Sequence, residues 1–102
     1  MSTYNNLNAL VKCSRCGCFV EAEIECFFGY GNLISYEIGD RYEWRPRKAV
    51  QNGGRPEEGN IDGEGYTQCP SCGKDFFVKV IVRDDIIRSV EPDSNKKPYM
   101  PD

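Results

Sequence analysis

Cys13-Ser14-Arg15-Cys16-Gly17-Cys18 and Cys69-Pro70-Ser71-Cys72-Gly73 are the two stretches on which the fold of this chain turns. Each sets two cysteines three positions apart and follows the second with glycine. A tight knuckle of this kind aims backbone amide hydrogens at thiolate sulfurs, and the residue after the second cysteine often needs a positive φ, which costs glycine little. Two such knuckles bring four sulfurs around one tetrahedral ion, at about 2.3 Å for zinc. Cys13, Cys16, Cys69 and Cys72 are therefore the candidate metal ligands, and the expected cofactor is a single Zn2+. Four thiolates close the coordination sphere, leaving no position for water or substrate, so such a zinc is structural. It would contribute on the order of 10 kcal/mol to folding.

Working outward, the pattern becomes that of strands. Superposing Cys13 on Cys69 also superposes Cys16 on Cys72 and Gly17 on Gly73, and sets Val20, Ala22 and Ile24 opposite Phe76, Val78 and Val80. Each half is a knuckle followed by a strand. In the first, Val20, Ala22, Ile24, Cys26 and Phe28 alternate with Glu21, Glu23, Glu25 and Phe27, the period of a half-buried strand. Gly29 to Asn32 reads as a turn, and Leu33 to Ile38 as a strand pairing back as a hairpin. Tyr42 and Trp44, alternating with Arg41, Glu43 and Arg45, suggest a short further strand or a resumption after a bulge. Beyond the second knuckle, Phe76 to Arg83 alternates again, Asp84-Asp85 is a turn candidate, and Ile86 to Glu91 reads as a last strand.

The expected fold is mainly β: a small antiparallel sheet of about four to five strands, little or no helix, and the metal site at one end. Its inner face would carry Val20, Ile24, Phe28, Ile34, Tyr36, Ile38, Phe76, Val78, Val80 and Val82. Residues 1–9 are polar and read as loose. Residues 46–65 hold five glycines and lack any period, so they read as a flexible loop; residues 92–102 read as a flexible tail. The chain is expected to be one domain, with its ordered core at about 10–45 and 66–91.

Composition narrows the function. No apolar run approaches the ~18 residues of a membrane span, and the first residues lack the basic start and apolar stretch of a signal peptide. A cytoplasmic protein with reduced thiols is expected, where paired cysteines read as metal-binding or redox-active before they read as disulfides. Thirteen basic and sixteen acidic residues give a formal charge of −3, which four thiolates and one divalent ion would take to −5. That balance disfavours nucleic acid as the partner. No histidine is present, which removes the commonest general base and the usual catalytic zinc ligand. Glu21, Glu23 and Glu25 read as a solvated strand face, the glycines show no phosphate-binding motif, and nothing points to a small-molecule substrate. The expectation is binding, not catalysis.

The C-x2-C-G and C-P-x-C-G pairs resemble the zinc ribbon superfamily, in which two facing knuckles close a metal site at one end of a small sheet. The likeness covers the knuckles and the strands leaving them, and departs in the interval: 52 residues separate Cys16 from Cys69. The pattern is also similar to small bacterial ribbon proteins with a widened hairpin insert. Ribbons serve transcription, translation, catalysis and protein interaction, so the resemblance implies a fold and a metal site without an activity. Rubredoxins share both pairs, which keeps iron and electron transfer open as a second alternative. The long strand from Val20 and the long insert are unlike the compact rubredoxin body.

Two features are left over. Cys18 and Cys26 read as small buried residues before they read as chemistry. Arg41, Tyr42, Trp44, Arg45 and Arg47, with Lys48 beside them, form the candidate interaction surface. Tyr42 and Trp44 could be core; the group could anchor a protein partner; or it could stack a single-stranded nucleic acid. Another protein is the expected partner, with an inhibitor or immunity-type role motivated by small size and acidity.

Overall fold

The computed structural model describes residues 4–30 and 34–99. Six strands make one sheet: β1 (Asn5–Lys12), β2 (Phe19–Cys26), β3 (Ser35–Glu37), β4 (Ile61–Gln68), β5 (Asp75–Arg83) and β6 (Ile86–Pro92), in the order β3-β1-β2-β4-β5-β6. The expectation of a mainly β fold holds, and two details change. There are six strands, not four or five, and the sheet is mixed: β3 runs parallel to β1, whereas every other pair is antiparallel. Short 3-10 turns occupy Val50–Asn52 and Glu57–Gly59, and no α-helix occurs among the described residues. None of their helices is long and apolar enough to cross a membrane.

The internal repeat is larger than the knuckle and its following strand. β1, knuckle and β2 form one antiparallel hairpin; β4, knuckle and β5 form another. The offset that carries Cys13 to Cys69 also carries the pair Lys12–Phe19 to Gln68–Asp75 and the pair Asn5–Cys26 to Ile61–Val82. Two copies of one hairpin therefore share one register. They join side by side through β2 and β4 over a short stretch, Glu25–Tyr66 and Cys26–Gly65, which sets the end of β2 far from its knuckle against the knuckle-side half of β4. Nearer the knuckles, the hydroxyl of Thr67 donates to the carbonyl of Glu23 at 2.9 Å.

The sheet curls, and residues 39–42 close it. The amides of Gly39 and Tyr42 donate to the carbonyls of Ile87 and Asp85, while the Ile87 amide donates to the carbonyl of Asp40. This stitching explains why β3 does not fold back on β2 as the expected hairpin. β3 pairs instead with the outer edge of β1, and the chain after it runs straight to the β5–β6 turn. Arg41 to Arg45 is not a strand; it makes isolated bridges to Ile86 and Gly54.

Inside the curl lie Leu7, Ala9, Val11, Val20, Ala22, Ile24, Cys26, Tyr36, Tyr42, Phe76, Val78, Val80, Val82 and Ile87. Burying one such aliphatic side chain stabilises by roughly 1.5–3 kcal/mol. Phe28, Ile34 and Trp44 pack against this core from its rim. Ile38, expected inside, is 45% exposed, because the closing segment turns outward there. Residues read as loose are structured: Asn5 is fully buried, its amide donating to the Tyr30 carbonyl and the Tyr42 hydroxyl and its carbonyl accepting from Ile34. The expected tail folds back, with the Asp93 amide on the Phe77 carbonyl and the Tyr99 ring against Tyr66 and Phe77. The expectations for residues 1–3, 31–33 and 100–102 lie outside the described residues.

Candidate metal centre

Each knuckle is built by the same hydrogen bonds. The Cys13 amide donates to the Cys18 carbonyl and the Gly17 amide to the Cys13 carbonyl; the Cys69 amide donates to Lys74 and the Gly73 amide to Cys69. Gly17 and Gly73 take φ of 79° and 76°, the left-handed geometry that glycine reaches without strain. The turn aims amides at sulfur. Arg15 and Cys16 donate to Cys13 Sγ at 3.3 and 3.4 Å, and Ser71 and Cys72 donate to Cys69 Sγ at 3.4 and 3.5 Å.

The register of the two hairpins sets the knuckles facing each other. The sulfurs of Cys13, Cys16, Cys69 and Cys72 all lie within 4.8 Å of one another. Cys13 Sγ is 3.8 Å from Cys72 Sγ, and Cys16 Sγ is 3.9 Å from Cys69 Sγ. A tetrahedron with metal–sulfur bonds of about 2.3 Å has edges of about 3.8 Å, so these sulfurs fit a four-coordinate ion. They are too far apart for S–S bonds of ~2.05 Å. Cys13 and Cys69 are buried, whereas Cys16 and Cys72 face solvent. Burial pushes the Cys13 thiol up. For Cys69 burial also opposes ionisation, but the amides of Cys72 and Ser71 and the neighbouring thiols outweigh it and bring the pKa to about 7. One thiolate is thus prepared near neutral pH, as metal uptake requires.

The four clustered cysteines are the candidate ligands named from the sequence, and their spacing is compatible with a zinc-ribbon-like site. Cys18 lies outside it, exposed, and Cys26 is buried in the core on β2.

The candidate interaction residues gather at the other end of β5, roughly 27 Å of strand away from the knuckles. Tyr30, Arg41, Glu43, Trp44, Arg45, Arg47, Lys48 and Arg55 surround a cleft of about 790 Å³. Tyr42 forms its floor and is core, 1% exposed, stacked between Phe28 and Tyr36. Asp85, buried below, organises the rim. Its carboxylate accepts from Arg55 Nε and Nη2 at 2.9 and 3.0 Å and from Trp44 Nε1 at 2.8 Å, with Arg41 at 3.6 Å. The Arg55 hydrogen bonds hold the Asp85 carboxyl below the usual range despite its burial. Arg55 and Asp85 were not legible as site residues: one sits in a patternless glycine-rich stretch and the other in a turn.

No family model, curated protein or solved structure matches this chain.

Proposed function

We propose that the chain is a zinc-stapled interaction module, with zinc held by Cys13, Cys16, Cys69 and Cys72 in a structural role and with another protein as partner. The four-thiol cluster carries the proposal. Its sulfur spacing suits a closed tetrahedral site, which supports a fold and offers no open position for chemistry. A reducing cytoplasmic compartment would keep the remaining thiols free.

The contact surface for a protein partner is the outer face of β1 and β2. Leu10 and Phe19 are 62% and 68% exposed there, and Glu21, Glu23 and Glu37 stand among them beside Ile38. An acidic face with apolar anchors complements a cationic protein surface, as an inhibitor or immunity protein would. Metal analysis of protein purified without added metal tests the first half: one zinc per chain is expected, and one iron would make electron transfer the reading. The second half predicts that Leu10→Asp with Glu23→Lys abolishes binding to the native partner while leaving the metal content unchanged.

A further inference from the structure

We infer that the cleft around Trp44 is a binding site for single-stranded nucleic acid, separate from the acidic face: no residue lines both. Five cations, Arg41, Arg45, Arg47, Lys48 and Arg55, line it, against one carboxylate at the rim, Glu43. The buried Asp85 is satisfied by Arg55, Trp44 and Arg41, so it fixes the orientation of that wall. Arg45, Arg47 and Lys48 make no salt bridge with the described residues, and they carry the charge offered to a ligand. The chain as a whole is acidic, yet five of its thirteen cations gather around this one cleft. Potentials are felt over about 8–10 Å at physiological salt, and a phosphate at the cleft meets this local charge, not the sum over the molecule.

The ligand class follows from what stands beside the cations. Trp44 is half-buried with its ring held by Asp85, and Tyr30 is 39% exposed with the Arg45 guanidinium 5.8 Å from its centroid. Arginine alternating with ring faces is suited to phosphates and unpaired bases. An acidic peptide would use the cations and leave the rings idle. A base within a duplex would have to leave its stack to enter. Cations spread from Arg41 to Arg55 exceed what one phosphate needs, which favours a strand over a mononucleotide.

The loop is built to hold this arrangement. The Arg45 amide donates to the Gly53 carbonyl at 2.7 Å, and a side chain at Gly54 would collide with the backbone of Lys48. Arg47 takes a left-handed φ of 61°, a strained setting for a residue with a side chain, which is found most often where geometry serves function.

Trp44 is the single tryptophan, so its fluorescence reports the cleft directly. The test titrates the metal-loaded chain with a short oligothymidylate. Saturable quenching is expected, with affinity falling about 20-fold between about 50 and 200 mM salt, the slope for three phosphates on a single strand. Arg45→Ala or Arg47→Ala should each shallow that slope by about 0.7. The triple reversal Arg45→Glu, Arg47→Glu, Lys48→Glu, all at exposed positions, should abolish quenching while metal content and circular dichroism stay unchanged. Absence of quenching at low salt overturns the inference, as does undiminished binding by the reversed variant. Equal affinity for polyglutamate would make the cleft an acidic-peptide site, and equal affinity for thymidine monophosphate would make it a mononucleotide site.

Discussion

Arg15 reaches from the first knuckle to the foot of β5, where its guanidinium donates to both the carbonyl and the carboxylate of Asp75, at 2.9 and 3.3 Å. The pair is buried, with side-chain exposures of 7% and 0%. Asp75 Oδ2 also accepts from the Tyr66 hydroxyl and the Tyr99 amide. One carboxylate thus ties the first knuckle, the second hairpin and the C-terminal segment together. Removing one member of a buried pair leaves the other charge uncompensated, so Asp75→Ala should cost about 3–5 kcal/mol. The exposed pair Arg83–Asp62 is the control: Asp62→Ala should cost under about 1 kcal/mol. Thermal unfolding of the metal-loaded variants separates the two, and equal losses would show that the Arg15 link carries no special weight.

A metal ion held by the four clustered cysteines would close a gap that the sheet leaves open. β2 and β4 pair only at Glu25–Tyr66 and Cys26–Gly65, and from there toward the knuckles the two hairpins have few direct ties. Chelation should therefore loosen residues 13–20 and 69–76 before it loosens the pairing of β5 with β6. Amide hydrogen exchange with and without chelator tests this; simultaneous loss everywhere would mean that the metal supports the whole core equally. Cys16→Ser should lose the ion and most of the stability, while Cys18→Ser should keep both, because Cys18 stands outside the sulfur cluster.

Gly63 and Gly65 show why one strand was illegible. In the repeated register Gly63 stands where Leu7 does, and Gly65 where Ala9 does, so both point into the core. The space is already filled: a Cβ at Gly65 would come within 2.8 Å of Ile24 and Val78, and one at Gly63 would collide with the Phe28 ring. Without large apolar side chains, Ile61–Gln68 shows no period of two and merges with the glycine-rich stretch before it. β1 was hidden in the same way by its asparagines, of which Asn5 is fully buried and satisfied by hydrogen bonds. The knuckles and β2, β5 and β6 were legible because their chemistry is local: ligand spacing, glycine and alternation. Arg55 and Asp85 meet only through the tertiary fold, so no local pattern could join them.

The same packing makes a quantitative prediction. Gly65→Ala should destabilise by about 1–3 kcal/mol through overpacking. Gly63→Ala should do likewise, and Phe28→Leu in the same chain should recover part of that loss by vacating the contested space. Denaturant unfolding of the two single variants and the double variant gives the coupling. Additive losses would place the strain elsewhere.

Alkaline pH should unfold the domain earlier than its surface charges suggest, because buried acids, Cys26 and Tyr42 foremost, resist ionisation. Burial raises Cys26 from 9.0 to about 12. Burial first, with the neighbouring Cys26 charge second, raises Tyr42 far above 10.0; its hydroxyl donates to the Phe28 carbonyl at 2.6 Å. Both groups are held protonated in the folded state and ionise more easily in the unfolded chain. Their contribution is therefore complete below pH 9 and is lost as pH rises, from 9 to about 12 through Cys26 and from 10 upward through Tyr42. Unfolding free energy measured across this range should fall progressively. In Cys26→Ala the onset should move up by about one pH unit, to the tyrosine range, whatever the variant costs in absolute stability. An unmoved onset would assign the alkaline loss to groups other than Cys26.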